Sequence, residues 1–487
     1  MRWRLAGMAI ISCLLAAGTA TVTGAGEATA APLAAPWGTA QALVLPPVIN
    51  FGQFATINSI ACPTAGNCTA VGHFTDAHGN VAAIAASEVD HVWAAAVQPF
   101  GTIEPSITAP DLLSVSCSSP GNCAAVGVET VNQAWTDGLL LGESNGTWNS
   151  SLSWGEYDKG TTFSPVSCPP KSAGACTAGG YYVDASGKQQ ALLLTQSAGP
   201  IGWSPITIPG LAGLNAGGSA AVGSVSCPSK GDCAAGGYYT DGNGNRQAFT
   251  VTERNGAWKN AREVAGALNS GGHAQVNSMS CASGGNCVAA GQYFRYVAPN
   301  VSTQAFEATE KNGTWSSAQR VPGTGSLNAG GVALVNSVSC VPGTGSLNCA
   351  LGGRYQDKNG AAQSFVDVLK NGSWKQATEI GSGHNLGGYA QVSTVSCPSA
   401  GNCAAGGSYL SAPGSSQRYQ AFVVSLKGFA WQSVKEVPGT GALNAGKTAQ
   451  VNAVSCPSSG FCAAGGFYST GHLGDTLPFV ADGSVGG

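Results

Sequence analysis

Sixteen cysteines set in eight pairs are the residues of this chain best spaced for chemistry, and the chemistry they allow is oxidation or metal binding. The first members are Cys62, Cys117, Cys168, Cys227, Cys281, Cys340, Cys397 and Cys456, and their partners are Cys68, Cys123, Cys176, Cys233, Cys287, Cys349, Cys403 and Cys462. Six pairs read C-x5-C, with seven residues between Cys168 and Cys176 and eight between Cys340 and Cys349. Zinc is the rival occupant, but structural zinc sites favour tighter C-x2-4-C pairs. With Cys13 set aside the count is even, which suits a disulfide framework in an oxidising compartment. Eight local bridges are expected, each closing a short loop worth on the order of 2 kcal/mol.

Two catalytic-looking motifs fail on context. Gly441 to Thr448 matches the phosphate-binding G-x4-G-K-T pattern, which works only where a strand leads into the loop and a helix follows. The aligned segments Gly325–Val332 and Gly266–His273 lack the Lys-Thr pair and run into strands. Gly142-Glu143-Ser144-Asn145-Gly146 matches G-x-S-x-G, yet it falls at a hairpin position rather than a strand-to-helix elbow. The six histidines show no metal-ligand spacing, and recurrent Asp76, Asp184, Asp241 and Asp357 read as turn residues. No cofactor or metal is expected.

A repeated amide is harder to set aside. Asn50, Asn215, Asn269, Asn328, Asn385 and Asn444 each stand twelve residues before the first cysteine of a pair, with glycine two positions on. An asparagine in a left-handed or Asx turn accounts for the spacing. A ring of amides offered to a hydroxyl-rich ligand also accounts for it. Two repeats break the pattern, bringing Glu104, Trp154, Glu156, Tyr157 and Asp158 into the corresponding connectors. These departures are candidate ligand-binding residues, because a site is something grafted onto a fold.

The elements that must position these residues follow from the period. First cysteines recur every 51 to 59 residues, which marks a repeat architecture. In one repeat, Gly223–Cys227 alternates as a strand, 228–232 turns, and Cys233–Tyr239 returns. A third strand covers Gln247–Thr252, Asn255-Gly256 signals a tight hairpin, and Trp258 opens a fourth strand. Four antiparallel strands per unit make a propeller blade; a solenoid would need shorter repeats with few hairpins. The last repeat stops after its third strand, while Trp37-Gly38-Thr39-Ala40-Gln41 is a lone fourth strand resembling Trp315–Gln319. Pairing the two ends gives an all-β, eight-bladed propeller closed by its N-terminal strand. The glycine four residues after each second cysteine, Gly72 to Gly466, is expected to let neighbouring sheets approach. The aromatics Phe74, Tyr182, Tyr239, Tyr293, Tyr355, Tyr409 and Tyr468 are expected to wedge between blades, the alternative being a ring that stacks on sugars.

Composition bounds the partners. Charged residues are 9% of the chain and the formal net charge is −3, so no basic field attracts nucleic acid. Arg2 and Arg4 followed by an apolar run and Ala28-Thr29-Ala30 read as a signal peptide over 1–31. A linker over 32–36 and a propeller over 37–487 complete the domain reading. Ile10-Ile11-Ser12-Cys13 loosely matches a lipidation signal; no later segment is long and apolar enough to span a bilayer.

The cysteine-pair repeat resembles the Cys-repeat propellers of secreted actinobacterial proteins, from Trp37 to the end. That resemblance implies export and a propeller, and it carries over no site. The resulting expectation is a secreted, monomeric, non-enzymatic binding or scaffold protein that recognises glycans or the cell envelope through its connector loops. The alternative is a carbohydrate-active lyase or hydrolase on the irregular second and third blades, where Glu104, Glu156 and Asp158 could supply paired carboxyls.

Overall fold

The computed structural model describes residues 37–45, 54–75, 79–99, 107–131, 135–149, 152–154, 160–172, 174–196, 202–414, 417–472 and 475–486. The proposed leader, Cys13 and the linker lie outside them. Eight antiparallel sheets follow one another along the chain. Blade 4 is typical: Ala220–Ser229 pairs with Asp232–Thr240, which pairs with Arg246–Arg254, which carries the short outer strands Ala257–Trp258 and Arg262–Glu263. The outer strand that Trp258 opens is thus interrupted and resumes only at Arg262.

The chain ends complete one sheet. Gln41 and Ala42 lie opposite Val480 and Phe479 in blade 8, and Trp37 bridges Gly483. Each first, inner strand contacts the next around the whole ring, including that of blade 8 (Ala449–Ser458) against that of blade 1 (Ala55–Thr64). The molecule is an eight-bladed propeller, as the eight cysteine pairs and the displaced Trp37 strand require.

All eight disulfides form across the first hairpin of their blades, with Cα–Cα separations of 3.9 to 4.1 Å. The second hairpin is set by backbone handedness. Asn145-Gly146, Asn255-Gly256, Asn312-Gly313 and Asn371-Gly372 all have positive φ at both residues, the requirement of a type I′ turn. The G-x-S-x-G match therefore ends in a hairpin turn.

The blades are held together in two ways. Eight apolar clusters, among the described residues, each combine side chains of two adjacent blades. Phe74, Tyr239, Tyr293, Tyr355, Tyr409 and Tyr468 are buried in them, and Tyr182 packs at the edge of one. Near the axis, hydroxyls link the inner strands. The serine before each first cysteine accepts the backbone N–H of the next blade's cysteine: Ser116 from Cys168, Ser226 from Cys281, Ser280 from Cys340, and Ser455 from Cys62 across the closure, at 2.9 to 3.0 Å. Cys117 lacks this bond because blade 1 has Ala61 in the serine's place.

The repeated glycine has a different role from the one expected. A Cβ on Gly72, Gly237 or Gly466 would stand 1.9 to 2.0 Å from a backbone oxygen of the inner strand in its own blade (Thr56, Ala221 or Gln450). That strand bulges there, between Val222 and Ser224 in blade 4. A bulge brings two residues against one and crowds the partner strand, so only glycine fits. Blade-to-blade approach depends instead on the preceding position in several blades. A Cβ on Gly179, Gly352, Gly406 or Gly465 would lie 2.5 Å from Val222, Val392, Val451 or Ile60 of the next blade. The bulge also supplies an inter-blade bond. Asn58, Asn277, Asn336 and Asn452 occupy its extra position and donate to Leu112, Val335, Val392 and Ile57 carbonyls of the following blade at 2.7 to 2.9 Å.

Candidate functional site on the connector face

Each connector leaves an outer strand and docks on the next blade at the end where second and third strands turn. Gly217 N donates to Thr240 O, Gly271 N to Phe294 O, and Gly387 N to Leu410 O, at 2.8 to 2.9 Å. Parallel bridges such as Arg246 with His273 and Tyr419 with Thr448 bring the third strand of one blade beside the connector into the next. Connectors and second-to-third-strand turns therefore share one face of the ring. Among the described residues, three connectors contain single helical turns, Leu211–Leu214, Thr324–Leu327 and Thr440–Leu443, each entered through a glycine with positive φ and ended by the repeated asparagine. The phosphate-loop match begins within the last of these turns and runs into a strand, as expected of a blade connector.

The asparagines Asn215, Asn269, Asn328, Asn385 and Asn444 are all buried, at 8% exposure or less. Their φ values are negative where they cap the helical turns, so the left-handed account does not apply. Each amide ties its connector to the third strand of the blade just completed. Asn269 Nδ2 donates to Arg246 O and Gln247 Oε1, both at 2.8 Å, while its Oδ1 accepts His273 N at 2.7 Å. Asn385 repeats this with Ala362 O, Gln363 Oε1 and Tyr389 N. Asn215 meets Gln190 Oε1 at 3.0 Å, Asn444 meets Gln420 Oε1 at 3.1 Å, and Asn328 meets Thr303 O at 3.0 Å.

The glutamines are the link that sequence reasoning missed. Gln190, Gln247 and Gln363 each donate to an aspartate six residues earlier, Asp184, Asp241 and Asp357, at 2.9 to 3.1 Å. Those carboxylates also accept the backbone N–H groups two and four residues on. Hydrogen bonds from Ser186, Gln190 and the Lys188 backbone hold the Asp184 carboxyl well below the usual carboxylate range. An Asp-Gln-Asn relay thus locks a turn, a strand and a connector together. The signal was present as D-x5-Q. Among the described residues, no group of three or more His, Cys, Asp or Glu converges to hold a metal.

The half-buried side chains beside the relays on this face differ from blade to blade. Arg246 lies 3.8 Å above the Tyr238 ring and donates to Gln275 Oε1 at 3.1 Å. Gln189 of blade 3 reaches the Tyr238 hydroxyl at 2.7 Å. His273 stacks on Phe294 with ring centroids 4.5 Å apart; burial, with the Arg246 charge adding, holds its imidazole below the ordinary histidine range. Between blades 6 and 7, Arg354 approaches Tyr389, whose ring meets Tyr419 edge-on at 5.7 Å. Between blades 1 and 2, His73 bonds Asp111 at 2.9 Å, and Asn58 donates to the same carboxylate.

Of the other predicted residues, Trp154 ends the strand Leu152–Trp154 of blade 2, in register with Gly138. Asn50, Glu104, Glu156, Tyr157 and Asp158 lie outside the described residues, and with them the carboxyls on which the hydrolase reading depends.

No family model and no curated protein matches this chain. Among solved structures, Sqt1 from Chaetomium thermophilum is 8% identical, covering 89% of this chain and 98% of its own, with a TM-score of 0.47. A protein of unknown function from Dyadobacter fermentans is 8% identical, with 92% and 98% covered and a TM-score of 0.39. The fucose-specific lectin from Aleuria aurantia is 13% identical, with 67% and 96% covered and a TM-score of 0.30. Similarities at this level carry no inference about a ligand.

Proposed function

We propose that this chain is an exported, non-enzymatic binding protein whose connector face recognises a neutral, hydroxyl-rich ligand such as a glycan of an envelope surface. One observation carries the reading. On a face locked by repeated relays, the side chains left half-buried are tyrosines, arginines, a histidine and glutamines drawn from neighbouring blades, Tyr238 with Arg246 and Tyr389 with Arg354 foremost. Aromatic faces cover the apolar C–H surface of a sugar, while guanidinium and amide groups hydrogen-bond its hydroxyls. Low overall charge favours a neutral partner. Export is supported by eight disulfides, which persist in oxidising compartments, and by the leader-like segment of the sequence.

Retention of the intact protein on a glycan array, with Tyr389→Ala and Arg246→Ala variants alongside, tests this. One glycan class should be retained by the parent and lost by both variants at unchanged melting temperature. Failure to be retained by any glycan or cell-wall preparation would overturn it.

A further inference from the structure

The junction between blades 1 and 2, at the disulfide end of the strands, departs from the other seven. Of the sixteen bridged cysteines, fifteen are buried at 8% exposure or less, and Cys117 alone is partly exposed. At every other junction a serine hydroxyl accepts the N–H of the next blade's first cysteine, as Ser167 does from Cys227 and Ser396 from Cys456, both at 2.9 Å. Ala61 offers Cys117 no such acceptor. A cavity of about 290 Å³ opens at this junction. Its walls include Thr69, Glu143 and Pro120-Gly121, the last two belonging to the loop that the Cys117–Cys123 bridge closes.

The two sulfurs of this bridge are also unequal. Thr69 Oγ1 of blade 1 lies 3.4 Å from Cys123 Sγ and 3.5 Å from Glu143 Oε2, and both Thr69 and Glu143 are buried. Burial raises the Glu143 carboxyl above its ordinary range. In its acid form that carboxyl donates to Thr69 Oγ1, which leaves the threonine hydroxyl to donate to sulfur. A donor beside one sulfur stabilises the thiolate that forms there and makes that sulfur the better leaving group. The junction of blades 3 and 4 supplies a control. There Thr177 Oγ1 lies 3.6 Å from Cys233 Sγ, but Cys227 is only 4% exposed and its N–H is held by Ser167. Only the junction of blades 1 and 2, among the described residues, joins a hydroxyl beside the second sulfur to an accessible first cysteine that no serine anchors.

We propose that Cys117–Cys123 is a thiol-reactive disulfide, exchanged by a small thiol such as glutathione, while the other seven bridges are structural. The thiolate attacks Cys117 Sγ and forms a mixed disulfide there. The S–S bond of the bridge breaks, and Cys123 leaves with its electron pair and takes up a proton beside Thr69. A second thiolate attacks the thiol-derived sulfur of the mixed disulfide, giving the oxidised thiol and freeing Cys117, which takes up the second proton. Two monothiols are oxidised and one cystine is reduced. Reduction removes the staple from blade 2 at the junction that lacks the serine bond, giving the ring one redox-sensitive seam. The site lies at the opposite end of the strands from the connector face, so either reading can fail without the other.

Treating the intact protein under native conditions with graded reduced glutathione, trapping free thiols with N-ethylmaleimide and mapping the peptides by mass tests the proposal. Cys117 and Cys123 should be trapped first, about tenfold faster than any other pair, with glutathione found on Cys117. Ala61→Ser, which supplies the missing acceptor, should slow this reduction about fivefold and leave the other seven bridges unchanged. Thr69→Val should also slow it and raise the pH at which reduced Cys123 is alkylated, a shift that lost packing alone does not produce. Thr69→Ser, which keeps the hydroxyl, should behave as the parent. Earlier reduction of another bridge, equal rates at all eight, glutathione on Cys123 in place of Cys117, an unchanged rate in Ala61→Ser, or no reduction of this bridge short of unfolding would overturn the proposal.

Discussion

The two ends of the blade strands are built by different chemistry. At the disulfide end the blades repeat one solution: a cystine across the first hairpin of each, a tight turn in the second hairpin of blades 1, 2, 4, 5, 6 and 7, and, in all but one junction, a serine hydroxyl on the next blade's cysteine N–H. Carboxyls toward that end are buried, and burial raises them above the usual carboxylate range. Burial pushes Asp367 up to about 7, with the nearby Glu307 charge adding to the shift. Burial likewise raises Glu143, and Glu88 rises both by burial and by the adjacent Asp482. At the connector end the carboxylates are ionised acceptors inside turns, and Asp184 is held low by the bonds it receives. Uniformity at one end leaves the other end free to vary its exposed side chains.

The contrast can be broken at several points. Gly237→Ala should have the largest effect, since its Cβ would stand 2.0 Å from Ala221 O; a loss of about 4 kcal/mol or more is expected in chemical denaturation. A folded Gly237→Ala protein of parental stability would show that the bulge is not rigid. The two carboxylate classes should answer pH in opposite directions. Asp367 holds a proton in the folded state that the unfolded chain releases above about pH 4. Its contribution is complete below that value and declines by up to about 1.4 kcal/mol per pH unit as pH rises through about 7. Asp367→Asn should remove that decline in melting temperature between pH 5 and pH 8. Asp184, lowered on folding, contributes above about pH 4 and loses its contribution in acid; Asp184→Asn should flatten only the acid limb.

Smaller effects sharpen the picture. Cys227→Ala/Cys233→Ala opens one short loop and should cost about 2 kcal/mol, read from the denaturation midpoint. Ser226→Ala strips the acceptor from Cys281 N–H and should cost about 1 kcal/mol. The reverse change at the equivalent position, Ala61→Ser, should stabilise the junction that now lacks the bond.

Much of the frame could be read from the residues because repetition lets each blade check the others. Cysteine spacing gave the bridges, and the displaced Trp37 strand gave the closure. The limits were set by contacts that spacing does not encode. The glycine series showed that backbone comes close, but not that the close backbone belongs to the bulged strand of the same blade. The asparagine series showed a shared role, but not that Asn215, Asn269, Asn385 and Asn444 turn inward to a glutamine on another element. The half-buried Tyr238, Arg246, His273, Arg354 and Tyr389 do not repeat, so no period pointed to them.

The pairing of Gln41 with Val480 bears on how the molecule is made. Gln41 and Ala42 must remain without their sheet until Thr476–Gly483 is synthesised, so blade 8 assembles only after both segments are available. Loop closure over such a span is entropically demanding but grows slowly with length, and long-range pairing of this kind slows folding. A propeller in which the Gly483 side is linked to the Trp37 side and the chain is opened within another turn should therefore yield the same wheel, completed at a different point of synthesis.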